Sequence, residues 1–203
     1  MYKVRKLKLP RSPQCDELAL AAGELYSRAT VSFWRTVRKQ GVWLKPSSMM
    51  RWQNSHSLHA HSADAVVQSF YAALKSWRQR RKGDSDAHPP RRRHRYYRVQ
   101  WKASAIRLRE GNLILSNGKG NQPLVVPWRW DVPVLVELGW NGTGYELRAV
   151  YTTTPTATAL GMETAGVDMG EVHLAVSHDG HSCHIYNGRH LRSVRRYQNK
   201  VKA

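Results

Sequence analysis

Residues 2–9, Tyr-Lys-Val-Arg-Lys-Leu-Lys-Leu, alternate apolar and basic side chains. A period of two predicts a strand with one basic face. Tyr2, Val4, Leu7 and Leu9 are expected toward a core, with a slip in phase near Lys6. Pro10 and Pro13 end this strand. From about Gln14 to Gln40, Leu18, Ala22, Leu25, Ala29 and Phe33 recur at helical spacing, and Gly41 supplies a stop. Residues 42–58 read as irregular. A second helix is predicted from about Ser62 to Lys82, with Ser62 as N-cap, Asp64 in its first turn, and Val66, Val67, Phe70, Tyr71, Leu74 and Trp77 on its apolar face.

Residues 83–95 read as a linker, and beyond them the period returns to two. Short strands are predicted at 98–101, 105–110, 112–116, 124–128, 132–138 and 145–152. Glu110-Gly111-Asn112 signals a hairpin, and Asn117–Asn121 and Asn141–Gly144 signal turns. Residues 154–160 form a second linker, rich in Thr, Ala and Pro. After it, an apolar strand delivers Asp168, Gly170 follows, and 172–176 alternates again before the turn residues His178-Asp179-Gly180. Residues 183–186 suit a third strand, and a basic helix begins at Leu191.

This order predicts an α+β chain. A split, OB-like β-barrel would use residues 1–11 and 95–153, with a helical insertion and basic linker at 12–94 between its parts. A second domain would follow at 161–203.

Charge narrows the function. The 203 residues carry a formal net charge of +19, which calls for a polyanionic partner. Phosphate backbone is the usual one, and its binding is strongly salt-dependent. A membrane surface competes, but no apolar run approaches the roughly 18 residues that span a bilayer, and no secretory apolar segment is evident. A cytoplasmic location and no membrane partner are therefore expected. The two cysteines, Cys15 and Cys183, form no CxxC pair. His56, His59 and His61 match no standard zinc spacing. The Gly-x-Gly of Asn117–Asn121 joins strands and lacks the following helix that a phosphate cradle needs.

The candidate nucleic-acid ligands fall into clusters. One is Arg91, Arg92, Arg93, Arg95 and Arg98, with Tyr96 and Tyr97 interleaved as possible stacking platforms and Arg78, Arg80, Arg81 and Lys82 just before. A second is Lys3, Arg5, Lys6 and Lys8 on the first strand. A third is Arg189, Arg192, Arg195 and Arg196, the last three on neighbouring turns of one helix. Gln68 is a reasonable adenine reader. Each cluster could equally be a solvated charged face, and Gln68 an exposed polar position.

Asp168 is the candidate catalytic and metal-binding residue. RNase H-like nucleases present their first carboxylate in this way, on a strand beside a tight hairpin. Two-metal hydrolysis needs carboxylates that hold Mg²⁺ ions roughly 4 Å apart. The bland alternative is an acid that ends a strand.

Three stretches together resemble the TnpB/OrfB proteins of insertion sequences, relatives of the compact type V CRISPR nucleases. They are the opening basic strand with the helix around 65–74, the run from Pro89–Arg93 to 105–108 and 112–115, and Gly166-Val167-Asp168-Met169-Gly170 with 188–193 and Asn199-Lys200 downstream. The resemblance covers nearly the whole chain but about the first half of a typical member. It implies a wedge barrel split by a helical recognition lobe, then the start of a RuvC-like domain. It also implies guide RNA and double-stranded target DNA with a short adjacent motif as partners, and Mg²⁺-dependent cleavage in the complete protein. The family's later carboxylates and cysteine cluster have no counterpart here. Glu163, Glu171 and Asp179 do not obviously replace them. Two alternatives stay open: a non-catalytic guide-RNA and DNA-binding module, and an unrelated basic RNA-binding β-barrel protein.

Overall fold

Strand β1, Tyr2–Leu9, pairs antiparallel with β7, Tyr145–Thr152, so the start of the chain lies against residues almost 150 positions later. This computed structural model describes residues 2–92, 95–153, 165–170 and 173–202. The chain divides into two compact units, residues 1–154 and 155–203.

In the first unit, α1 (Pro13–Gln40), α2 (Pro46–Trp52) and α3 (Ala60–Arg80) follow β1. Ser12 caps α1 by accepting from the Cys15 N–H at 3.2 Å, and Pro13 suits the first turn because it has no N–H to satisfy. Gly41 ends the helix in the left-handed region, φ 66°, and its N–H donates to Val37 O. The buried face of α1 packs on that of α3. Tyr26 and Phe33 meet Phe70 with ring centroids 5.8 and 5.4 Å apart.

Strands β2 (Val99–Lys102), β6 (Leu135–Trp140), β7 and β1 form one antiparallel sheet in the order β1-β7-β6-β2. A single 3-10 turn, Ala103–Ala105, then carries the chain into a second sheet, β3 (Ile106–Arg109), β4 (Asn112–Leu115) and β5 (Leu124–Pro127). Glu110 and Gly111 both take positive φ, 50° and 72°, and make the tight two-residue hairpin between β3 and β4. One hydrophobic core runs from Leu18, Phe33 and Phe70 through Trp101 to Leu113, Leu147 and Ala149.

The expected barrel is not closed. Among the described residues of this unit the strands form two separate sheets. Strands β2 to β5 are four residues each, too short to continue from one sheet into the other, and the 3-10 turn reorients the chain between them. Hydrogen bonds outside the ladders join the sheets instead. Trp101 Nε1 donates to Ser116 O at 3.0 Å, and Trp128 Nε1 to the Tyr151 hydroxyl at 3.1 Å.

Other sequence expectations shift. Residues 42–58 are not wholly irregular, because Pro46 starts the short α2 and Met49 anchors it in the core. Helix α3 begins at Ala60 with His59 as N-cap, which places Ser62 inside the helix, fully buried, and Asp64 beyond the first turn. In β1, Tyr2 and Val4 are exposed, while Arg5, Leu7 and Leu9 are half-buried. Strict alternation back from Leu9 puts Arg5 inward, where its guanidinium lies over the Trp130 ring at 5.0 Å.

The second unit holds an antiparallel sheet in the order β10-β9-β8, with β8 at Gly166–Asp168, β9 at His173–His178 and β10 at Cys183–Asn187, followed by α4, Arg189–Lys202. None of its described hydrophobic side chains is buried. The expected linker 154–160, Glu163 and Glu171 lie outside the described residues. Among the described residues no helix is long and apolar enough to cross a membrane.

Candidate nucleic-acid interface

The C-terminal half of α3 is rich in cations. Arg78 and Arg80 sit in its last turn, and Arg81 and Lys82 follow at once. The chain then returns along the helix through Pro89 and Pro90. This brings Arg91 and Arg92 beside Arg80 and His88, around a cleft of about 380 Å³ floored by Tyr26, Ala73 and Ser76. Among the described residues no acid lines that cleft. Among the described residues, Arg80, Arg91 and Arg92 have no carboxylate within ion-pair distance. Arg93 lies outside the described residues.

The next residues of the tract serve the fold. The Arg95 carbonyl passes directly over Gly23 of α1, and Tyr97 N donates to Ala19 O at 3.0 Å. A side chain at position 23 would occupy the space of that carbonyl, so the helix is glycine where the strap crosses it. Tyr97 packs on Tyr26 at 4.7 Å. Tyr96 packs on Trp140 at 5.0 Å, and its hydroxyl accepts from Arg11 Nη2 at 2.8 Å. Arg95 itself is exposed.

A charge ladder crosses the four-stranded sheet. Lys6 lies 3.8 Å from Glu146, whose other neighbour is Arg148 at 2.6 Å. Arg148 reaches Glu137 at 3.2 Å, and Glu137 reaches Arg98 at 3.6 Å and accepts from Gln100 at 2.7 Å. The Arg148 guanidinium holds the Glu146 carboxyl below the usual range. Lys6 and Arg98 are thus partnered by strand carboxylates, and Arg5 is seated on Trp130. Lys3 and Lys8 remain exposed on β1, which is an edge strand. Sequence reading counted the cations of β1 and missed Glu137 and Glu146, because pairing across strands depends on register.

Gln68 is exposed on α3, with its amide nitrogen 3.7 Å from Met50 Sδ of α2. In the second unit Arg189, Arg192, Arg195 and Arg196 are all exposed on α4. Arg192 and Arg195 border a groove of about 570 Å³ that also includes Gly170, Leu174 and Leu191.

Asp168 ends β8, paired with Val176, and is exposed on an edge strand. Asp179 does not join it as a ligand. It accepts from the backbone of Ser182 at 2.6 Å and of His181 at 2.9 Å to close the β9–β10 turn, and these bonds push its carboxyl down to about 2. No three His, Cys, Asp or Glu side chains gather as metal ligands among the described residues, and the acids described here do not make a two-metal site.

No family model and no curated protein matches the chain. Among solved structures it is similar to a chain of the "Cryo-EM structure of the Cas12f1-sgRNA-target DNA complex", with 10% sequence identity and a TM-score of 0.45. The likeness covers 100% of this chain and 61% of that one, so the chain spans under two thirds of this neighbour's length.

Proposed function

We propose that this chain is an RNA-guided DNA-binding protein of the TnpB kind, holding a guide RNA and a double-stranded target with a short adjacent motif. The observation that carries the reading is the cleft in which Arg80, His88, Arg91 and Arg92 converge without an acid, on a chain of net charge +19. Converging guanidinium forks suit phosphate oxygens and demand such a partner. The order of motifs, from basic strand and helices to the Asp168 strand, supplies the family. In guided systems base pairing carries the sequence, and the protein needs mainly shape, charge and a short motif reader.

In this reading Asp168 is the first carboxylate of a RuvC-like centre, and Mg²⁺-dependent cleavage requires further carboxylates. Among the described residues Asp168 is exposed with no second acid beside it, which favours a second reading for the 203 residues by themselves: a guide-RNA and DNA-binding module without cleavage. Sequencing the nucleic acid that co-purifies tests both. A single discrete RNA species, bound more weakly when Arg91 and Arg92 are replaced by Gln, is the expected result. Bulk ribosomal RNA, or no nucleic acid, would overturn the guided reading.

A further inference from the structure

A second cleft lies beside α3; the sequence singled out its basic residues Arg78, Arg81 and Lys82 but not the aromatic walls they stand against. Its volume is about 580 Å³, within the ~300–1,000 Å³ typical of small-ligand sites. Trp43, Tyr71 and Trp77 supply its aromatic walls; Lys75 and Arg78, one helical turn apart on α3, and Arg81 and Lys82 just beyond its end supply charge. No acid lines it, and none pairs with these cations among the described residues.

The walls are fixed in place. The left-handed Gly41 turns the chain out of α1 and back toward it, so Trp43 meets Phe33 edge-on at 5.2 Å and Trp34 at 6.3 Å. Tyr71 donates to Leu44 O at 2.7 Å and ties this loop to α3. Burial pushes the Tyr71 phenol up to about 12, so it stays a donor. Trp77 Nε1 donates to Ala87 O at 2.8 Å. The Arg78 guanidinium lies over the Trp43 ring at 4.8 Å. A guanidinium held beside an aromatic ring gives a base two flat partners, and bases stack on arginine planes as they do on aromatic side chains.

We propose that this cleft seats one unpaired nucleotide of a single-stranded nucleic acid, its base stacked on the Arg78–Trp43 pair and its phosphate held by Lys75 and Lys82. The assignment rests on the reading of the chain as a nucleic-acid-binding protein. A flat base explains the aromatic walls, and a phosphate explains cations without acids; an acidic peptide would use only the charge.

The test measures binding of fluorescein-labelled ten-nucleotide single strands, one RNA and one DNA, and of a labelled duplex, to the full chain. Arg78 is exposed, so Arg78→Lys and Arg78→Gln should fold as wild type, which thermal melts check. Both variants are expected to weaken at least one single strand about tenfold, as loss of one stacked base does, with a clearly smaller loss on the duplex. Loss in Arg78→Lys is the diagnostic result, since charge is kept and the planar stack is removed. Wild-type affinity in both variants, equal loss on duplex, or displacement of the strand by polyglutamate of matched charge would overturn the assignment. If wild type binds strands and the variants bind equally well, only this inference falls. If wild type binds no nucleic acid, the broader reading falls with it.

Discussion

The Tyr145 hydroxyl donates a 2.8 Å hydrogen bond to the Asp16 carboxylate, fastening the start of β7 to the first turn of α1. Arg11 bonds the other carboxylate oxygen at 2.8 Å. Burial opposes ionisation of Asp16, but the bonds from Tyr145 and Arg11 outweigh it and hold the carboxyl below its ordinary value of 3.8. A folded-state value lowered in this way contributes stability that is complete above 3.8 and is lost as the pH falls through the folded value. Tyr145→Phe should therefore lower the Tm near neutral pH by roughly 2–4 °C. The gap to wild type should close in acid, once Asp16 is protonated in both. Thermal melts across the acid range check this, and a gap that stays constant would mean that the bond does not depend on the charge of Asp16.

Gly23 predicts the opposite of what helix propensity says. Alanine inside a helix is worth about 1 kcal/mol over glycine. At position 23, however, the added methyl would occupy the place of the Arg95 carbonyl, which is backbone and cannot rotate aside. Overpacking of that kind costs about 1–3 kcal/mol, so the clash wins. Gly23→Ala should lower stability in chemical denaturation and loosen the strap that leads from Arg91 and Arg92 into β2. A stabilised variant would show that the strap does not cross α1 there.

What the sequence made legible follows from how local each signal is. The hairpin at Glu110-Gly111 was readable because two residues alone set a two-residue turn, and the α1 and α3 faces were readable because their spacing repeats for many turns. The phase of β1 was not: Val4 is the apolar residue, yet Arg5 faces inward because Trp130, far along the chain, takes its guanidinium. Closure of the barrel failed for a similar reason, since strand count says nothing of where a 3-10 turn ends a sheet. At the candidate site the basic run was plain in sequence. Which cations are free was not, because Glu137 and Glu146 meet Lys6 and Arg98 only through strand register. Trp43 carried no periodic signal, as it sits in a loop.

The free and the paired cations should behave differently in salt. Arg91 and Arg92 have no carboxylate partner among the described residues, whereas Lys6 and Arg98 do. Each phosphate contact contributes about 0.7–0.9 to the slope of log affinity against log salt. Arg91→Gln with Arg92→Gln should therefore flatten the slope by about 1.4–1.8. Lys6→Gln with Arg98→Gln should leave it almost unchanged, with a small loss of stability from exposed or half-exposed pairs. Equal slopes in the two double variants would remove the distinction between cleft and ladder.

Asp168 calls for a test that separates the placement of an acid on a strand from catalysis. It stands exposed at the end of an edge strand, and neither Asp179, committed to its own turn, nor any described pair of acids joins it. The described acids leave Asp168 alone, and one carboxylate cannot hold two Mg²⁺ ions about 4 Å apart, so the 203-residue chain is expected not to nick DNA. Asp168→Ala should leave both nucleic-acid affinity and Tm at wild-type values, because the side chain contacts solvent rather than the sheet. Supercoiled plasmid incubated with purified chain and Mg²⁺ gives the readout. Nicking that disappears in Asp168→Ala would show that ligands beyond the described residues complete the site within this chain.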